Sequence, residues 1–348
     1  MGKMTRLHAE PAVEQFGVPQ DLAYNWAYET SRAKLMRLYE NAKRDQWNGT
    51  DRLDWSIDVD PEGELLPDMG IGIYGTPMWE RLTPREIQRL RHEAITWQLC
   101  QFMHGEQGAL LATAQIVDAT PWYEAKMYGA TQVMDEARHV EVYRRFIVEK
   151  LEHEYPVNPQ LKQLLDTILS DSRWDMKFLG MQIMVEGLAL AAFGTMRDTA
   201  QNTLLRDLTA YVMEDEARHV AFGVLSLREL YQNLPEKERL EREDFVYEAA
   251  VLMRDRILNR EVWETMGMDV DACVAASMAS PLAIEFRRRL FSKIVPNIKS
   301  LGLLSRRQRE RFAELGILEF EEHTTSDVDH DIEEERRIRA GDVESAAA

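Results

Sequence analysis

From Thr83 onward the apolar positions recur with helical rather than strand spacing, in long segments rich in Ala, Leu, Met, Glu and Arg with few β-branched runs and almost no internal Pro. An all-α fold follows. The first helix start is unusually complete, because Thr83-Pro84-Arg85-Glu86 offers an N-capping Thr, a Pro at the first helical position and a Glu at the third, which is a capping box. That helix is predicted to run to about Asp118. Thr120-Pro121 restarts a second, continuing to about Glu152, before Tyr155-Pro156-Val157-Asn158-Pro159 breaks the pattern. A shorter piece at about 160–169 leads into a third long helix at about 172–198. The turn from Asp198 to Asn202 opens a fourth, which ends near Asn233-Leu234-Pro235. Further helices are expected at about 236–266, 270–293 and 305–316.

Four segments result. Residues 1–78, with Trp26, Trp47, Trp55 and the Asp- and Pro-bearing run Asp51 to Pro67, read as a helix at about 20–45 followed by an irregular wrap. Residues 79–234 hold four core helices, and 235–318 hold accessory helices. Residues 319–348 carry 11 acids and 3 bases without a sustained apolar stripe, and read as an acidic, disordered tail.

Composition narrows the function classes. The 348 residues hold 42 Lys plus Arg against 60 Asp plus Glu, a net charge of −18 that argues against nucleic acid or an anionic membrane surface as the main partner. Only two cysteines occur, Cys100 and Cys273, too few for a disulfide framework or a cysteine zinc site, so a reducing, cytoplasmic setting is expected. No apolar signal core opens the chain, and the longest uncharged stretch, Ala272 to Ile284, is shorter than the roughly 18 residues of a membrane span.

The chemistry concentrates in a hexapeptide. Asp-Glu-Ala-Arg-His-Val occurs at Asp135 to Val140 and again at Asp215 to Val220, both inside predicted helices. Glu136 and His139, like Glu216 and His219, stand three residues apart, one turn along a helix face, so each pair can bind one metal. Carboxylate with imidazole suits iron or manganese better than the thiolate-rich sites preferred by zinc. Glu106 and Glu186 stand on otherwise apolar faces of the other two core helices, where an isolated carboxylate is costly unless it is neutral or bound to a cation. Glu106, Glu136 and His139 map onto Glu186, Glu216 and His219 by one offset of 80 residues, so the core reads as two repeated hairpins. The midpoints of the two Glu pairs, Pro121 and Gln201, fall in the predicted turns, which puts all six side chains at one height. Two divalent metals would neutralise the four carboxylates.

These residues make the chain resemble the ferritin-like, carboxylate-bridged di-iron oxidoreductases, over roughly Thr83 to Pro235. The Arg in both Asp-Glu-Ala-Arg-His copies is similar to that of bacterial multicomponent monooxygenase hydroxylases and soluble acyl-carrier desaturases. The resemblance implies a ferritin-like four-helix bundle with accessory helices, and makes Glu106, Glu136, His139, Glu186, Glu216 and His219 the iron ligands and catalytic centre, with manganese an alternative in either position. Asp135, Asp215, Arg138 and Arg218 would orient the histidines through hydrogen bonds. Ala42-Lys43-Arg44-Asp45-Gln46-Trp47 with Leu53-Asp54-Trp55 resembles the wrap of some of these enzymes. No single subfamily fits: Leu190 stands where multicomponent hydroxylases carry Thr, and Val212 where amine N-oxygenases add a third His. Gly108 and Met181 stand where the ligand-binding oxidases related to the ribonucleotide reductase small subunit cross-link Val to Tyr.

The implied function is O2-dependent oxidation of an apolar or carrier-linked organic substrate by hydroxylation, N-oxygenation or desaturation. Electrons would come from a separate reductase or ferredoxin, because the chain shows no Gly-rich dinucleotide fingerprint. The accessory helices suit a homodimer. Two alternatives stand beside it. A ferroxidase of the ferritin kind would oxidise Fe(II) without any organic compound, and a radical-generating reductase subunit would give Tyr143, four residues after His139, a tyrosyl signal; the competing reading of Tyr143 is core packing. Glu93 and Glu124 read as solvent-facing acids, His92, His104, His153, His323 and His330 as surface or packing histidines, and Met103, Met134, Met184 and Met213 as lining the site.

Overall fold

The computed structural model describes residues 17–18, 22–26 and 28–323, and among them there is helix but no strand. In chain order the α-helices are α1 (Ala33–Arg44), α2 (Gly49–Arg52), α3 (Pro84–Ala119), α4 (Tyr123–Phe146), α5 (Pro159–Ser170), α6 (Trp174–Phe178), α7 (Glu186–Thr199), α8 (Thr203–Tyr231), α9 (Glu236–Arg256), α10 (Arg260–Met266), α11 (Val270–Ala279), α12 (Pro281–Arg289), α13 (Ile294–Ser300) and α14 (Arg306–Glu314). α3 packs along α4 and α7 along α8, and the two hairpins meet through α4 and α8, which makes the ferritin-like four-helix core.

The capping box forms as expected: Thr83 Oγ1 accepts from the Glu86 amide while the Thr83 amide donates to Glu86 Oε2 at 2.8 Å. Asn158 and Asn202 cap α5 and α8 by accepting backbone N–H bonds on their side-chain oxygens. Thirteen residues separate Glu106 from the last residue of α3, and thirteen separate the first residue of α4 from Glu136; the same spacing recurs from Glu186 to the end of α7 and from the start of α8 to Glu216. Equal arms, about 20 Å long at 1.5 Å per residue, bring the four carboxylates to one level.

Several helices depart from their predicted lengths. The second core helix ends in a π-helical turn, Ile147–Leu151, and the third is interrupted by a π-helical segment, Leu179–Val185, directly before Glu186. Hydrophobic periodicity is nearly blind to such a change of winding. The expected 236–266 helix breaks at Asn259, which adopts a left-handed conformation with φ 53°. The expected 270–293 helix breaks at Ser280-Pro281, where Ser280 caps α12 and Pro281 takes its first position. α13 was not anticipated at all.

The N-terminal helix begins at Ala33 rather than near residue 20; its Leu35, Leu38 and Ala42 are buried, and it packs against α4 and α8. Residues 20, 21 and 27 of that prediction lie outside the described residues. Of the expected tail, Leu318–Glu322 forms a short 3-10 helix, because Phe320 is buried, and 324–348 lie outside the described residues.

One stretch, Trp174–Thr199, is long and apolar enough to cross a membrane, since only Glu186 interrupts its centre. That apolar window is 72% buried inside the protein, so core packing accounts for it.

Candidate metal centre

The structure brings together all six residues expected from the sequence. α3 supplies Glu106, α4 Glu136 and His139, the first turn of α7 Glu186, and α8 Glu216 and His219, each at most 5% exposed. Glu106, Glu136, His139 and Glu216 form one group, and Glu136, Glu186 and His219 a second, with the donor atoms inside each group within 4.8 Å of one another. Both imidazoles turn Nδ1 inward. His139 Nδ1 lies 3.3 Å from Glu106 Oε2 and 3.3 Å from Glu216 Oε1, and His219 Nδ1 lies 3.1 Å from Glu136 Oε1. The rings stand 5.9 Å apart between centroids.

The outward nitrogens are held crosswise. His139 Nε2 lies 3.1 Å from Asp215 Oδ2 in the other repeat, and His219 Nε2 lies 3.4 Å from Asp135 Oδ2. An N–H donated at Nε2 leaves the Nδ1 lone pair pointing into the cage. Arg138 donates to Asp135 Oδ1 at 2.6 Å and to Asp215 Oδ2 at 2.8 Å, and Arg218 donates to Asp215 Oδ1. The four residues expected to orient the histidines therefore form one buried charged network.

Three further side chains belong to it. Gln132, one turn before Glu136, donates from Nε2 to Glu136 Oε1 at 3.0 Å and to Glu186 Oε1 at 2.9 Å, tying the two hairpins. Its i, i+4 spacing to Glu136 was a usable signal. Gln46 donates to Asp135 Oδ1 and Trp47 Nε1 to Asp215 Oδ2, each at 2.8 Å. The wrap thus contributes directly to the centre, and Trp47 also stacks on Tyr211 with centroids 5.0 Å apart. A surface groove of about 650 Å³ runs over Trp47, Arg138 and Met134.

The electrostatics call for positive charge at the middle. Burial, and then the neighbouring Glu216, push the carboxyls of both Glu106 and Glu186 well above the usual range. Burial opposes a charge on Glu136, yet His219 and His139 hold it below that range. Burial also opposes charge on both imidazoles. The nearby carboxylates of Asp215, Glu106, Glu136 and Glu216 nevertheless raise His139, and the charges of Glu136 and Glu216 raise His219. Among the described residues, Glu136 Oε2, Glu186 Oε2, both Glu216 oxygens and His219 Nδ1 have no hydrogen-bond partner although all are buried. Orphaned acceptors converging on one point, in a set of four carboxylates and two imidazoles, fit a pair of divalent metals.

Other expectations change. Glu93 and Glu124 are buried, not solvent-facing: Glu93 accepts from the Tyr155 hydroxyl at 2.7 Å, and Glu124 accepts from the Arg32 amide at 2.8 Å at the entrance to α1. Both partners come from distant segments, which local pattern does not reveal. Met103, Met184 and Met213 are buried, but Met134 is 59% exposed and lines the surface groove instead. His92 and His104 pack against the Leu151 and Tyr155 carbonyls. Tyr143 is fully buried with no partner for its hydroxyl among the described residues, packed between Phe102 and Phe193.

A buried cage of this composition inside a four-helix bundle is that of a non-haem di-iron oxidoreductase, which carries out O2-dependent oxidation at a dinuclear metal site. Residues 29–302 match the family model described as P-aminobenzoate N-oxygenase AurF, and the chain belongs to that family. The match holds although Val212 stands where amine N-oxygenases add a third His. Val212 is fully buried and has no donor atom to offer. Among solved structures, the chain is similar to a variant of the R2-like ligand-binding oxidase with anaerobically reconstituted Mn/Fe cofactor, at 19% identity over 73% of this chain and 92% of that one, with a TM-score of 0.47. It is also similar to that oxidase with aerobically reconstituted Mn/Fe cofactor, at 18% identity over the same shares and a TM-score of 0.45. No curated relative matches.

Proposed function

We propose that the protein oxygenates the nitrogen of an organic amine, with Glu106, Glu136, His139 and Glu216 holding one iron and Glu136, Glu186 and His219 the other. The convergence of the six side chains with their orphaned oxygens carries this reading, and membership of a family described by a p-aminobenzoate N-oxygenase supplies the amine. The metals, when bound, supply O2 activation. The chain's part is to fix donor geometry and exclude water: Asp135 and Asp215 hold the histidine tautomers, and Gln132 pins two carboxylates. In balance, R–NH2, O2, two electrons and two protons give R–NHOH and water.

The two electrons come from a separate reductase or ferredoxin; Cys100 and Cys273, both buried and free, suit a reducing cytoplasm and cannot hold an iron–sulfur cluster. Manganese fits the same donors and is the alternative occupant of either position. The accessory helices α9–α14 offer surface for a homodimer.

Metal analysis of iron-grown protein should find about two irons per chain by this assignment of ligands. Reduced protein given O2 and an arylamine panel should form hydroxylamine or nitro products. Full occupancy by zinc, or oxidation of carbon only, would overturn the proposal.

A further inference from the structure

Four large apolar side chains stand out of the fold ahead of α1. Leu22, Tyr24, Trp26 and Tyr28 are 69%, 69%, 75% and 62% exposed, the highest values for large apolar side chains among the described residues. They occupy alternate positions, and Ala23 and Asn25 between them are partly buried. A period of two turns one set of side chains toward the bundle and the other away from it. The inward set anchors this strap at the α3–α4 turn: the Ala23 amide donates to the Asp118 carbonyl at 3.0 Å and the Asn25 side chain to the Pro121 carbonyl at 3.4 Å. Glu124 then accepts from the Ser31 and Arg32 amides at 2.5 and 2.8 Å, just before α1 begins.

The outward stripe is pre-arranged and uncharged. Tyr24 stacks on Trp26 at 4.5 Å between centroids, and Tyr28 meets Tyr123 edge-on at 5.3 Å. Arg32, the first base after the stripe, is committed to Glu229 at 2.8 Å and to the Trp122 ring at 4.0 Å. Charge therefore selects neither an acidic nor a basic partner, and the net charge of −18 argues against an anionic bilayer. Aromatic faces of this kind match their own copies, through offset or edge-to-face ring pairs across a two-fold axis. At these exposures the four side chains offer on the order of 500 Å² per copy, taking about 200 Å² for a whole aromatic side chain, so two copies reach the roughly 1,000 Å² of a specific interface. α9–α14 offer surface too, but Met278, Leu282 and Ile284 there are only 38–46% exposed, so the strap has more apolar area to hide.

We propose that the strap is a self-association face, on which two copies of the chain pack Leu22, Tyr24, Trp26 and Tyr28 against one another about a two-fold axis. The contact needs neither metal nor substrate, so it stands or falls apart from the oxygenase reading. An interface near the lower size limit is weak enough to dissociate on dilution.

The test is velocity sedimentation of the full-length, iron-loaded protein across the micromolar range. The wild type should sediment at twice the monomer mass and dissociate on dilution. Trp26→Glu and Tyr24→Glu should each weaken association by at least about 30-fold, the loss expected of an aromatic hot spot, while Trp26→Phe loses less than about tenfold. Both side chains are mostly exposed in the single chain, so iron content and the melting temperature at high dilution should match the wild type, which separates lost association from misfolding. Met278→Glu, on α11, should leave the dimer intact. A monomer at every concentration, or a dimer unmoved by both strap Glu variants, overturns the inference. A dimer that Met278→Glu alone dissolves also overturns it and places the contact on α9–α14. A monomeric wild type that floats with phosphatidylcholine vesicles, and no longer does so as Trp26→Glu, overturns it in favour of a lipid surface.

Discussion

Trp47 and Asp215 lie 168 positions apart, yet the indole N–H donates to Asp215 Oδ2 at 2.8 Å, the same oxygen that faces His139 Nε2 at 3.1 Å. A residue from the N-terminal wrap thereby helps set the orientation of an imidazole at the centre of the bundle. Burial opposes charge on Asp215, but Arg218, His139 and Arg138 hold its carboxyl below the usual range, so it accepts as a full anion.

Trp47→Phe keeps the aromatic stack on Tyr211 and deletes only this donor. Losing a hydrogen bond to a charged group costs about 1.5–3 kcal/mol, and weakening the support of a ligating histidine typically lowers metal affinity by about 10- to 100-fold. Chelator competition should show that loss. Unchanged iron affinity would mean that Arg138 and Arg218 alone fix Asp215.

The two donor groups share Glu136 and differ in Glu106 and Glu186. Glu136→Ala should therefore empty both positions, whereas Glu106→Ala and Glu186→Ala should each empty chiefly one. Iron-to-protein ratios after growth in iron separate these outcomes. Equal losses in all three variants would show that the pair binds all-or-none.

Lys177 is fully buried, donating to the Gln115 side chain at 2.6 Å and the Leu169 carbonyl at 3.0 Å, just ahead of the π segment that delivers Glu186. Burial lowers its pKa to about 8 from an ordinary 10.5. Between those values the unfolded chain binds more protons than the native one, so this group makes stability rise with pH across that window. Below about 8 its charging penalty is constant. Melting curves of wild type and Lys177→Met should diverge in slope from pH 8 upward, the wild type gaining relative to the variant. Parallel curves would show that the buried amine finds enough compensation from its acceptors to keep an ordinary pKa.

The helical core was legible because its signals are local and repeated. The Thr83 capping box, the Pro121 and Gln201 turns and the doubled Asp-Glu-Ala-Arg-His each reside in a few consecutive residues, and the 80-residue offset checks one against the other. Gln46, Trp47, Glu93 and Glu124 reach Asp135, Asp215, Tyr155 and Arg32, each at least 62 positions away, where spacing carries no information. A cavity beside Phe102 was hidden for the same reason, since α12 and the 63–72 segment form part of its wall only once they fold over the bundle. The π segment escaped because one turn of wider winding leaves the apolar pattern nearly intact.

That segment is held by a close approach to α8. A Cβ added at Gly223 would stand 2.7 Å from Gln182 Cβ and 3.0 Å from Ile183 Cδ1, both in Leu179–Val185. Two effects oppose each other in Gly223→Ala. Replacing glycine by alanine inside a helix gains about 1 kcal/mol in propensity. Overpacking a closed core costs roughly 1–3 kcal/mol, and the Gln182 contact is a Cβ atom fixed to the backbone, which no rotamer change relieves. The cost should win, lowering stability by up to about 2 kcal/mol net of the propensity gain. The relief available is an outward shift of the π segment, and Glu186 follows it directly, so Gly223→Ala should also weaken metal binding where Glu186 contributes. Thermal melting and iron content measured on the same sample check both parts. A variant more stable than wild type with full iron would show that α8 and the π segment separate freely.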